Sequence, residues 1–260
     1  MRKFFFTAVL FAPALAMAAH GGSGGGEKIN VSPDTLNSSG YGGHPLQLML
    51  MLAALGLVPF ALLMVTSFVK ISVVLSIVRT AMGTQQIPPT QVITGLSIIL
   101  TVYIMAPVGQ EMYRAAKPEM EAGGELMQAQ SVDKLVTAAD KARAPLREFL
   151  LKKAGHKDRE LFYALALKMR KEEDKKTVGK DDFLILVPAF VVSELKEAFQ
   201  IGFLLFVPFI VIDMVVANIL LALGMQMLQP TTISLPFKLL LFVMIDGWYL
   251  IAKGLVVGYL

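Results

Sequence analysis

The sequence predicts an all-α membrane protein, and three observations carry that reading. The first is composition. Of the 260 residues 55% are hydrophobic and only 17% charged, with a mean hydropathy of +0.62, too apolar for an ordinary soluble domain. The second is where the charges sit. Residues 114–182 hold 16 Lys/Arg and 13 Asp/Glu, 29 of the 44 charged residues in the chain. A soluble fold spreads charge along its length, whereas a membrane fold clears it from its spans. The third is a set of four apolar segments flanking the charged stretch, at 46–69, 92–108, 201–223 and 239–257.

At the N-terminus, Arg2 and Lys3 precede the apolar run 4–15 and the A-x-A pattern Ala16-Met17-Ala18. This is the layout of a secretory signal peptide over residues 1–18, with the mature chain starting at Ala19. Residues 19–45 read as a flexible extracytoplasmic leader, glycine-rich at 21–26. With no cysteine in the chain, disulfides, Cys-ligated metals and thiol catalysis are excluded.

The remainder divides into a first apolar hairpin at 46–113, a charged helical segment at 114–182 and a second apolar hairpin at 183–260. Segment 46–69 is uncharged and long enough to cross about 30 Å of hydrocarbon, with a kink expected at Pro59. Segment 92–108 is expected to end near Pro107. In the charged stretch, Val132, Leu135, Val136, Ala139, Leu146, Phe149 and Leu150 recur at helical spacing. After a break at Gly155-His156, Leu161, Phe162, Leu165 and Met169 do the same. Two amphipathic helices follow, forming a solvated connection rather than a partner-binding domain. The run 183–192, interrupted by Pro188 and followed by Ser193-Glu194-Leu195-Lys196-Glu197, suits an interfacial or re-entrant helix set apart from the third span.

Polar groups inside apolar sequence stand out, because an ionised side chain at mid-membrane costs about 2.5–3.5 kcal/mol on insertion scales. Asp213, Lys238, Asp246 and Lys253 are therefore expected to be paired or to face water. The spacing of Lys238, Phe242, Asp246, Tyr249 and Lys253 puts them on one helix face. Ion pairing between helices or subunits is the principal reading. The alternative is an ion or proton relay, which would make the chain a channel or transporter subunit. Lys70 either belongs to this set or snorkels at a membrane boundary, and Asn218 is expected to hydrogen-bond between helices.

An external N-terminus and four spans place the connection 70–91 and the loop 224–230 inside, with the charged segment and the C-terminus outside. Long loops are largely exempt from the positive-inside count, so Lys70 and Arg79 alone speak for this orientation. Enzyme constellations are absent: His20, His44 and His156 are scattered, and no zinc-protease, nucleophile-elbow, P-loop or dinucleotide motif occurs. Charges of both signs are interleaved, which argues against nucleic acid. The loop Gly224-Met225-Gln226-Met227-Leu228-Gln229-Pro230 sets flexible thioethers at a turn between apolar segments, which suggests a compliant seal, with mere packing of the turn as the alternative.

Several ordered motifs carry a resemblance. They are Thr66-Ser67-Phe68-Val69-Lys70-Ile71-Ser72-Val73-Val74-Leu75, Gly83-Thr84-Gln85-Gln86-Ile87-Pro88-Pro89, Met105-Ala106-Pro107-Val108, the run from Ser193 to Phe203, Ile233-Ser234-Leu235-Pro236-Phe237-Lys238 and Asp246-Gly247-Trp248. Over residues 46–260 the chain resembles the SctR/FliP family, the core export-apparatus membrane proteins of type III secretion systems and of the flagellum. The resemblance implies a non-enzymatic subunit with no cofactor, multi-pass in the bacterial inner membrane, its apolar segments folded as bent helical hairpins. It implies a pentamer joined by smaller export-apparatus membrane subunits and a large export-gate subunit, through which unfolded secreted proteins pass. The family's methionine gasket falls on Met225, Gln226 and Met227, and Gln226 departs from the usual run of methionines. The run 68–74 resembles the injectisome branch, which is favoured over the flagellar one, although a signal peptide is more typical of the latter.

Overall fold

The computed structural model describes residues 45–84, 87–121, 130–175, 178–225 and 227–260. The expected signal peptide, nearly all of the leader and Gln226 lie outside these residues. The chain divides into two units between Leu55 and Gly56, and the packing that follows lies within the second. Every regular element among the described residues is helical: α1 Pro45–Met64, α2 Phe68–Ala81, α3 Thr90–Glu121, α4 Gln130–Lys153, α5 His156–Met169, the single turn α6 Glu172–Lys175, α7 Phe183–Ala222, α8 Pro230–Met244 and α9 Gly247–Val257.

Among the described residues two helices, α3 over Thr90–Pro118 and α7, are by themselves long and apolar enough to cross a membrane. Counting each of two bent pairs as one span gives four. The bends do not fall where prolines predict them. Between Gly56–Met64 and Phe68–Ala81 the chain turns by 73°, while Pro59 stays inside α1. The break comes at 65–67, where the Thr66 hydroxyl donates to the Leu63 carbonyl at 3.1 Å and so takes an acceptor that a continuing helix would have used. Pro107 likewise fails to end α3, which continues to Glu121. Its 32 residues span about 48 Å at 1.5 Å per residue, and α3 packs along α4.

The separate interfacial helix expected at 183–192 is not formed. α7 is one helix of 40 residues that runs through Pro188, the Ser193–Glu197 run and Pro208, about 60 Å long at the same rise. The helix continues because its charges are matched by neighbours: Glu194 is buried against Lys70 of α2 and Tyr259 beyond α9. The fourth apolar segment, by contrast, is broken. Asp246 adopts a left-handed conformation at φ 52°, and α8 and α9 meet at 59°. A Cβ on Gly247 would lie 2.4 Å from the Phe242 ring, so the close approach at this bend requires glycine.

α7 is the spine against which α2, α4, α5 and α8 pack. One core joins Ile71, Val74, Leu75 and Val78 of α2 to Ala198 and Phe209 of α7, Phe242 of α8, and Ile251 and Leu255 of α9. The α2 residues recur at i, i+3, i+4 and i+7, the apolar stripe of a helix buried on one side. A second core joins Leu150 of α4 and Ala154 just beyond it to Leu186, Ala189 and Phe190 of α7. Within the charged segment the two expected amphipathic helices form as α4 and α5, broken near Gly155, with α4 docked on the first half of α7.

Candidate functional site

Polar side chains gather at the two ends of α2, where it packs on α7, and the methionine loop lies beyond one of them. At the end next to α4, the Lys70 ammonium lies 2.6 Å from Glu197 Oε2 and 3.1 Å from Glu194 Oε1. The first contact is a hydrogen bond; the second is an ion-pair approach that leaves Oε1 without a hydrogen bond. The Tyr259 hydroxyl donates to Glu194 Oε2, and its ring lies 4.4 Å from the Lys70 ammonium. Lys153 donates to the Gly258 carbonyl at 3.2 Å. Burial, assisted by the nearby Lys152 and Lys70, holds the Lys153 amine below its ordinary range. Just outside this cluster, Ser193 accepts from the Gly155 amide at 2.8 Å and donates to Asp158 at 2.7 Å, so α7 also clasps the α4–α5 turn.

At the other end, Asp213 of α7 accepts on both oxygens from α8: from Ser234 on Oδ1 at 2.5 Å and from Lys238 on Oδ2 at 2.6 Å. Ser234 and Lys238 are buried and Asp213 is partly exposed. One turn further on, Phe242 packs on Phe209, with ring centroids 6.5 Å apart. The i, i+4 spacing on both helices makes this a two-layer zipper, polar then aromatic, closing α7 against α8. Beyond it α7 ends in a Schellman motif, with the Met225 amide bonded to Leu220 O at 2.9 Å, the Gly224 amide to Leu221 O at 3.0 Å, and Gly224 at φ +71°. The loop therefore leaves α7 in a fixed direction and re-enters helix at Pro230, the first position of α8. Between these anchors Met225 is half exposed and Met227 is 97% exposed.

The expected single face of Lys238, Phe242, Asp246, Tyr249 and Lys253 is split by the left-handed Asp246. Lys238 and Phe242 face the interior of α8, whereas Asp246, Tyr249 and Lys253 are exposed on or beside α9. The Lys253 ammonium lies 5.6 Å from the Tyr249 ring. A continuous Lys-Asp-Lys stripe is therefore not formed. Lys70 does not snorkel; it is 3% exposed and ion-paired. It also lies near the opposite end of α2 from Arg79, and it shares the Tyr259 ring with Lys153 of the charged segment. Asn218 is exposed on α7, and the interhelix bond expected of it is not seen among the described residues. No cluster of three potential metal ligands occurs among those residues.

Residues 51–255 match the FliP family. The chain belongs to the FliP family. Yop proteins translocation protein R of Yersinia pestis is 45% identical over 217 residues, covering 82% of this chain and 96% of the relative. Flagellar biosynthetic protein FliP of Bacillus subtilis is 46% identical over 214 residues, covering 82% and 91%. Hypersensitivity response secretion protein HrcR of Ralstonia nicotianae is 42% identical over 212 residues, covering 82% and 96%. These FliP-family relatives are secretion, translocation and flagellar proteins, which supports an export-apparatus role for a membrane chain with this helical architecture.

In the sequence Glu194 and Glu197 read as a separator between apolar runs, and Ser193, Ser234 and Tyr259 carry no signal of a site. One signal was available: a lone lysine in one apolar run and paired carboxylates in another are each costly alone and cheap together.

Proposed function

We propose that this chain is a core subunit of a type III export gate, in which several copies, five by family resemblance, set their methionine loops around a constriction for unfolded proteins. The observation that carries the reading is the loop itself. Two thioethers are held out of the protein on a hairpin whose stem is zipped by Asp213, Ser234 and Lys238 and whose exit is fixed by Gly224. A side chain as exposed as Met227 gains nothing within its own chain. Its burial has to come from other copies, and unbranched thioethers suit a seal that must deform around passing chains. An apolar groove of about 410 Å³ lies beside the same stem, lined by Val211, Val215, Ile219, Ile233 and Phe237 among others, a surface that further membrane subunits of the apparatus would cover.

The gate sits in the inner membrane, with the charged helices on the periplasmic face and the methionine loop toward the cytoplasm. Placement of the loop at the end of α7 remote from α4 and α5 supports that arrangement. The identities to flagellar and to secretion relatives are alike, so the proposed role is the one that both branches share.

Alanine at both Met225 and Met227 tests the reading. Cells making the assembled complex with the double substitution are expected to admit small solutes that the parent complex excludes. Unchanged permeability with intact assembly would remove the seal. Single cysteines introduced at Met225, Lys157 and Leu260 of this cysteine-free chain, probed from each face of the membrane, test the orientation. The ion-pathway reading predicts flux from liposomes containing this protein alone, and the broken Lys238–Asp246–Lys253 face gives that flux no continuous path.

A further inference from the structure

The Lys238 ammonium lies close to more than its ion-pair partner. A Cβ built on Gly83, which ends α2 at φ +74°, would lie 3.7 Å from Lys238 Nζ. Lys238 is therefore seated against the turn that leads from α2 toward α3. This position suits a cation: the last carbonyls of a helix carry partial negative charge, and Arg79 occupies the same last turn. Lys238 thus stands where three parts converge, namely α7 through Asp213, α8 through its own backbone, and the end of α2 through Gly83. It is buried there, its side chain 6% exposed, while Asp213 keeps partial contact with solvent. Around it, Val78, Ala81 and Met82 of the α2 end and Ile93 of α3 lie in the same core as Phe209 and Phe242.

From this geometry we infer that Lys238 is a positioning residue that couples the end of α2 at Gly83 to the base of the methionine loop at Gly224 and Met225. Beyond Gly83, Ile87 is 73% exposed, and the Arg79 guanidinium donates to Thr90 at 3.0 Å, bracing α2 against the start of α3. A partner or passing chain that displaces this turn moves Gly83, the seat of the ammonium. Lys238 is tied to Asp213, so the shift is transmitted to the stem of the hairpin whose tip carries Met225 and Met227. Conversely, a loop forced open changes the packing of α8 on the turn. Only the naming of the loop as the constriction rests on the proposed export-gate function; the coupling itself does not.

Hydrogen exchange on the purified, assembled complex tests this without reference to permeability. The amides to follow are bonded ones: Met82, Gly83 and Val92 at the turn, and Gly224, Met225 and Thr232 at the loop. With Lys238→Met, exchange is expected to rise at least tenfold in both sets. A rise confined to the loop set, or to neither, would show that Lys238 serves only the hairpin and overturn the inference. Should Lys238→Met fail to assemble, Gly83→Ala supplies the reciprocal test, since it strains a left-handed residue while keeping the Asp213–Lys238 pair. Faster exchange is then expected at Gly224 and Met225 as well as at Gly83, and a response limited to residues 82–92 overturns the proposal. Leakage by the methionine double variant, measured separately, decides the seal, so either idea can fail while the other stands.

Discussion

Lys70→Met is the perturbation that most directly tests how this fold tolerates charge. Methionine keeps much of the lysine stem but removes the cation from a site where Lys70 is 4% exposed and Glu194 fully buried. Glu197 is half exposed, so solvent takes over its share and its lost contact costs little. Glu194 has no such relief. Its carboxylate is left with the Tyr259 hydroxyl alone, and breaking a buried pair in this way costs about 3–5 kcal/mol. Since folded domains hold a margin of about 5–15 kcal/mol, that is a large fraction of the whole. At about 2–4 °C per kcal/mol for a domain of this size, the unfolding midpoint of the detergent-purified protein should fall by about 10 °C. Adding Glu194→Gln should restore most of the loss, because a neutral amide beside Tyr259 no longer needs a cation. A loss below about 1 kcal/mol for Lys70→Met, or a double variant as unstable as the summed singles, would refute the argument that a buried, mutually dependent pair holds α2 on α7.

Three further outcomes are expected. Gly247→Ala should cost about 1–3 kcal/mol, because its methyl would meet the buried Phe242 ring, whereas Gly109→Ala, with nothing within 4 Å of the new methyl, should be tolerated; thermal melts of the two variants side by side make the comparison. Ser193→Ala leaves the Gly155 amide and Asp158 without their shared partner, for a loss of about 1–3 kcal/mol, seen as faster exchange at the α4–α5 turn ahead of global unfolding. Lys153 has a folded pKa below its ordinary 10.5, so over the window between the two the unfolded chain binds more protons and stability rises with pH. Lys153→Met should flatten that rise in unfolding midpoints measured from pH 8 to 11.

Composition and charge placement suffice to establish a helical membrane protein, because clearing charge from spans is obligatory in hydrocarbon whatever the fold. The two helices of the charged segment were legible for a similar reason: their apolar residues recur at the period of a helix and stop at Gly155. Motif order pointed to the family, and the loop 224–230 was visible as a turn from Gly224 and Pro230. Breaks and pairings were not legible in this way. Pro59, Pro107, Pro188 and Pro208 mark lost hydrogen bonds, yet each stays inside a helix, while the actual bends fall at 65–67 and at Asp246. A proline costs its helix a bounded amount that packing on neighbours can offset, whereas a left-handed residue backed by a glycine leaves the helix no path onward. Likewise, spacing alone aligned Lys238 with Asp246 and Lys253, but only the tertiary structure could show that α8 ends first and that the lysine turns to Asp213. Sequence periodicity describes one helix at a time; which charge neutralises which depends on the helix packed opposite, and that is decided only when α2, α7 and α8 come together.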